Sequence, residues 1–261
     1  MKKFFMLGMV LTVSVVMLLT SCKKDEINNN GNTNVSQDEP DTDHLITNAV
    51  TDIDGNHYNA VKLGNQVWMA ENLRTTHFAD GTDIIEDCGI SYDNPYRFTP
   101  SSNVTTYGYL YNWAAVMYGA NGSNNNPSGV QGVCPTGWHV PSAAEWSELI
   151  TYIGSQSEYV CDGSSNNVAK ALASENGWNS FNGDACAVGN NPSTNNVTGF
   201  SAYPAGHWAG GFIGLGSYNM FWTATGGGSE ARLYSISFNY ANVRALSETQ
   251  YRGGSVRCVR D

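Results

Sequence analysis

An α+β domain of short mixed strands, two to three short helices and long loops is the fold class that the sequence predicts, from three observations. Apolar residues make up 41% of the 261 positions, enough for one packed core, yet 28 Gly and a dense scatter of Asn and Ser break almost every periodic stretch. Tight-turn pairs such as Asp54-Gly55 and Gly64-Asn65 separate short runs that contain β-formers. The segment after Ser142 combines a helix start signal with sustained helical spacing. Few helices among many short strands, without βαβ alternation, indicate α+β architecture. Lys plus Arg total 13 against 23 Asp plus Glu, a net charge of -10 with no basic cluster, so a nucleic-acid partner is not expected.

In chain order, Lys2 and Lys3 precede an apolar run over residues 4–19, followed by Thr20, Ser21 and Cys22. A basic start, a greasy stretch and small residues before a break predict an export signal over 1–21. Leu19-Thr20-Ser21-Cys22 resembles the bacterial lipobox, which implies diacylglyceryl transfer to the Cys22 thiol, cleavage before it and acylation of the new amine. Each buried methylene contributes about 0.8 kcal/mol, so two or three acyl chains make such an anchor effectively permanent. Residues 22–47 are Asn-rich and acidic with few apolar side chains, which predicts a flexible tether. About 20 to 25 residues of such coil span roughly 25 Å. Asp25 and Glu26 resemble the surface-export signal of exported lipoproteins; the alternative is a solvated linker facing the periplasm. The expected location is the outer membrane, lipid-anchored and facing the exterior.

The domain is expected over 48–261. Residues 57–63 and 66–69 read as a hairpin across Gly64-Asn65. Asp52-Ile53-Asp54-Gly55-Asn56 has the start of a calcium loop, but position 12 from Asp52 is Leu63 where a carboxylate is needed, so it reads as a turn. One short helix is expected to hold Leu110, Trp113, Ala114 and Met117. A second starts at the Ser142/Glu145 capping box and carries Trp146, Leu149, Ile150 and Ile153 on one face; a third covers 166–175, ended by Gly177. Strands are expected over 199–203, 220–225, 232–238 and 255–259, with long surface loops at 119–132 and 186–198.

Several blocks then carry a resemblance. Asp52 to Asn56, Val61 to Arg74 (with Trp68-Met69-Ala70-Glu71-Asn72-Leu73), Tyr107 to Val116, Cys134-Pro135-Thr136-Gly137-Trp138-His139-Val140-Pro141, Gly199 to Gly206, Phe221 to Thr225 and Gly254 to Asp261 follow one another as in the Fibrobacter succinogenes major paralogous domain family. The resemblance spans nearly all of 51–261. It implies a C-type-lectin-like fold related to the formylglycine-generating enzyme domain. It also favours pairing Cys134 with Cys258, since both lie in family blocks and the bond would close the last strand onto the fold. Cys161 and Cys186, which flank one helix and its loop, make the second expected pair, with Cys88 either free or paired differently. Two departures bear on function. The enzyme relatives use two redox cysteines near the end where Cys258 stands alone, and the lectin calcium motifs are missing, because Glu39-Pro40-Asp41 lies in the tether and Trp222 is followed by Thr223-Ala224.

No cofactor or metal is called for. His44, His57, His77, His139 and His207 have no ligand spacing, and no serine elbow or phosphate loop occurs. Cys88 with His77 would be a nucleophile and base without a third partner, so no catalytic residue is assigned. Trp68, Trp113, Trp138, Trp146 and Trp222 are expected in the core. Trp208, Phe212 and Tyr218 sit among glycines and are the ligand-binding candidates, because exposed rings bring contact area at small entropy loss. The expected role is a non-catalytic binding module for a glycan or surface protein; a structural subunit of an envelope complex and an enzyme of formylglycine-generating type are the alternatives.

Overall fold

The computed structural model describes residues 45–86, 89–101 and 103–261. The first sheet starts as a meander of β1 (Leu45–Thr51), β2 (His57–Leu63) and β3 (Gln66–Met69), so strand begins inside the 22–47 stretch read as tether. The Asp52 carboxylate organises the first turn. Oδ1 accepts from the Asp54 and Asn56 amides, while Oδ2 accepts from Asn56 Nδ2 and, at 2.6 Å, from the buried Tyr58 hydroxyl. With both oxygens engaged by the turn itself, the Asp-rich pattern here is an Asx-type turn.

Further on come β4 (Ile85–Glu86), β5 (Tyr96–Phe98), α1 (Val104–Tyr107), β6 (Leu110–Tyr111), α2 (Trp113–Met117) and β7 (Trp138–His139). The helix expected around 110–117 is therefore split. Leu110 and Tyr111 pair with β5, and the Asn112 side chain accepts from the Ala115 amide, which starts the helix one residue later. α3 (Ala143–Ser155) is the longest helix described, with its capping box formed: Ser142 Oγ accepts from the Glu145 amide and Glu145 accepts from the Ser142 amide. α4 spans only Ala169–Leu172 of the expected 166–175, because Ala173 leaves to bridge Ala202 and the Ser174 amide binds the Ala202 carbonyl. That single bridge is all the strand pairing of 199–203, where Ser201 takes a positive φ of 54°.

β8 (His207–Trp208) and β9 (Phe212–Ile213) form a small hairpin, and β10 (Tyr218–Gly227), β11 (Glu230–Ser237) and β12 (Arg244–Thr249) a three-stranded meander. β12 gives no strand signal in the sequence, because none of its side chains is fully buried and they carry no apolar alternation. Of 255–259 only the end is strand, as β13 (Val259–Arg260), which slots between β3 and β7 to give the order β1-β2-β3-β13-β7.

Side chains alternate across β3 and β10, so both faces are buried. Trp68 and Phe221 join Trp146, Leu149, Ile153, Phe200 and Ile236 in one core, while Met69 and Trp222 join Leu73, Phe78, Leu233 and Val256 in another. Trp68 packs edge-on to Trp146 at 4.9 Å between ring centres, and Trp146 stacks on Tyr234. Trp113 departs from the core expectation. It is half-buried, packed against the second of these cores, with its indole N–H donating to the Thr223 carbonyl at 2.9 Å. Two disulfides form, Cys134–Cys258 within the second of these cores and Cys161–Cys186 between two loops.

Candidate functional site

The three ring candidates lie together around the β8–β9 hairpin, but they are not equivalent. Trp208 is only 2% exposed. Its ring stacks on Phe98 at 4.2 Å and 9°, beside Leu110 and Ala205. Its backbone exchanges two 2.9 Å hydrogen bonds with Gly253, where a Cβ would fall 2.7 Å from the Phe98 ring and 2.9 Å from Trp208 Cβ. A glycine-permitted close approach thus seals this indole inside, and Trp208 is withdrawn as a ligand-stacking residue. Tyr218 is half-buried, with its ring so close under Gly214 (φ +81°) that a Cβ there would lie 2.2 Å away. Phe212 stands out at 51% exposure, and with it Ile213 at 51% and Leu215 at 48%, two residues that the sequence reading did not single out. Apolar side chains spaced by Gly211, Gly214 and Gly216 were the available signal, since glycine flanks leave no neighbours to cover them.

The base of this hairpin is polar and fixed. His207 Nδ1 lies 2.8 Å from the Tyr218 hydroxyl and Nε2 lies 3.0 Å from Arg252 Nη1. An arginine N–H can only donate, so Nε2 accepts, the proton sits on Nδ1 and the ring is neutral. Burial, reinforced by the Arg252 charge, lowers the His207 pKa to about 4. Arg252 Nε in turn donates to Glu248 at 3.0 Å. The Tyr218–His207–Arg252–Glu248 chain leaves no imidazole nitrogen free for proton transfer and ties β8 to β10 and to the end of β12. The sign of the titration follows. A histidine kept neutral in the fold binds fewer protons than in the unfolded chain, so stability falls as pH drops from about 6.5 towards 4. Urea unfolding at pH 7 and pH 5 is expected to show this loss, and His207→Gln to remove part of it; an unchanged pH slope in the variant would contradict the assignment.

Two other histidines are held between carboxylates. His77 Nδ1 meets Asp54 and Nε2 meets Asp83 at 2.7 Å; His139 Nε2 meets Glu145 at 2.6 Å and Nδ1 meets Asp261 at 2.7 Å. Burial works against the His139 charge, but the two carboxylates outweigh it and its pKa is raised. Both nitrogens of each ring face a carboxylate, which does not leave them open for general-base work; Cys88 and Cys22 lie outside the described residues. Cys258 is bonded to Cys134 and offers no thiol for oxidase chemistry. The Cys161, Asp162 and Cys186 ligand atoms fall within 4.8 Å of one another, but both sulfurs belong to the disulfide.

Fold and site together define a disulfide-bonded α+β domain with exposed apolar side chains at 212, 213 and 215 on and just after the second strand of a small hairpin. The chain belongs to the Fibrobacter succinogenes major domain family, whose model matches residues 61–260. No curated protein and no solved structure matches it. Among the described residues, no helix is long and apolar enough to cross a membrane.

Proposed function

We propose that this chain is an outer-membrane lipoprotein, anchored through acylated Cys22 and facing the exterior, whose lectin-like domain is a non-catalytic module that binds a protein partner. The exposed apolar side chains of Phe212, Ile213 and Leu215 carry the reading. Two of its three members are branched aliphatics, which suit an apolar protein surface better than a sugar, whose C–H face prefers a flat ring. The ring best suited to a sugar, Trp208, lies inside. The network through His207 and Arg252 supports the same reading, because a hairpin whose base is already hydrogen-bonded loses less entropy on docking.

The test uses the native cell. A photoreactive residue at position 213 is expected to give one discrete protein adduct on intact cells, and a Phe212→Ser/Ile213→Ser/Leu215→Ser variant to weaken that complex more than about 10-fold, as loss of central apolar anchors does. Cys22→Ser is expected to move the protein to the soluble fraction and abolish the adduct. An adduct of unchanged yield in the triple variant, or membrane retention of Cys22→Ser, would sink the reading.

A further inference from the structure

Arg257 enters β13 with its side chain wholly buried, and its hydrogen bonds all go to uncharged acceptors. Nε donates to Asn72 Oδ1 at 2.8 Å, Nη1 to the Met69 carbonyl at 2.9 Å and the Phe200 carbonyl at 2.5 Å, and Nη2 to the Ser201 carbonyl at 2.7 Å. The guanidinium plane lies over the Phe200 ring at 4.6 Å. Its acceptors belong to two segments, 69–72 leaving β3 and 200–201, so one side chain ties both together. These segments are the walls of an open cleft of about 340 Å³ lined by Leu45, Asn59, Glu71, Thr106, Ser201 and Tyr203, among others.

The walls are pre-organised. Glu71 Oε2 accepts from the Asn59 amide at 2.7 Å and Oε1 from Asn59 Nδ2 at 3.0 Å, so each oxygen keeps a further lone pair. Opposite, Asn196 Oδ1 accepts from the Ser201 amide at 2.7 Å and Asn196 Nδ2 donates to Ser201 Oγ at 2.9 Å. Both residues hold positive φ, 68° and 54°, a strained geometry kept by these contacts. The Thr105, Thr106 and Tyr203 hydroxyls take part in none of these wall bonds. Burial raises the Glu71 pKa, and the nearby Arg257 charge works against that rise.

The chemistry offered is specific. A half-buried carboxylate with two open acceptor sites would repel a phosphate or another carboxylate, and the Arg257 guanidinium is sealed beneath the floor. An apolar occupant would strip water from the two remaining acceptor sites of Glu71 and put nothing in its place. Hydroxyl donors suit the carboxylate, threonine hydroxyls both donate and accept, and the Tyr203 ring, Leu45 and Ala70 give apolar surface for C–H groups. We propose that this cleft binds a neutral polyhydroxylated ligand, a pyranose unit of a saccharide, with Glu71 accepting from adjacent hydroxyls across the cleft from Tyr203. None of its lining residues belongs to the β8–β9 hairpin, so this site stands independently of the protein-docking side chains.

The full chain, in detergent, is titrated with methyl hexopyranosides and short neutral oligosaccharides, with a hexose phosphate and methylammonium as controls. Saturable binding of a neutral sugar is expected. Glu71→Gln, which removes a charge-assisted acceptor, should weaken it about 10-fold or more, and Thr106→Val should weaken it while leaving the thermal unfolding midpoint in place. The Phe212→Ser/Ile213→Ser/Leu215→Ser variant should bind the sugar normally, which separates failure here from failure of the protein-docking reading. No saturable binding across the neutral panel, tighter binding of methylammonium or hexose phosphate, or affinity indifferent to both cleft variants would overturn the assignment. Should Glu71→Gln fail to fold, the Thr106→Val titration decides.

Discussion

Arg257→Met is expected to lower stability by about 3 to 5 kcal/mol, enough to leave a marginal domain largely unfolded. Methionine replaces much of the stem volume, so the loss comes from what stays behind. Three backbone carbonyls, of Met69, Phe200 and Ser201, and the Asn72 side-chain oxygen would face the interior without a donor. Each buried acceptor left unsatisfied costs about 1 to 3 kcal/mol. Relief of the buried charge offsets part of this, since desolvation already lowers the Arg257 pKa to about 9. Arg257→Lys keeps a charge but loses the planar fork, the directed bonds and the face over Phe200, and should fall between the two. Denaturant unfolding followed by tryptophan fluorescence reads the effect; a methionine variant within about 1 kcal/mol of the parent would show that the two walls are held by packing alone.

Opening the Cys134–Cys258 bond is the second large effect. The bond spans 124 positions, against 25 for Cys161–Cys186. In the chain-entropy account, closing these loops contributes about 5 and about 3.5 kcal/mol respectively. Both sulfurs of the longer link are buried beside β13, the two-residue strand that joins β3 to β7, so Cys134→Ala/Cys258→Ala also loosens the centre of the first sheet. The double variant should therefore melt well below the parent and below Cys161→Ala/Cys186→Ala. A smaller shift for Cys134→Ala/Cys258→Ala than for the shorter link would mean that constraint of the unfolded chain is not what the long bond contributes.

Much of the scaffold was legible because its determinants are local. The Ser142/Glu145 box and the spacing of Trp146, Leu149 and Ile153 lie within a few turns of one another, and α3 forms there. Gly64-Asn65 sits between two β-forming runs, and the β2–β3 hairpin closes around it. Elements without local apolar rhythm were not legible: β1 and β12 are edge strands with almost no fully buried side chains, and their pairing comes from backbone groups of a neighbour. At the candidate site, Phe212 and Tyr218 were visible as rings among glycines, whereas Ile213 and Leu215 gained meaning only from their exposure together.

By itself, then, the order of residues determined the family, the α+β class, the capped helix and the turn chemistry, all of which depend on neighbours a few positions apart or on blocks recurring in sequence. Tertiary structure alone decided that Trp208 is sealed against Phe98, that His207 is neutral beneath Arg252, and that Arg257 ties carbonyls 57 and 188 positions away into one cleft. Burial and hydrogen-bond satisfaction are set by whichever groups the folded chain brings within a few ångströms. A periodic pattern carries no information about partners that distant.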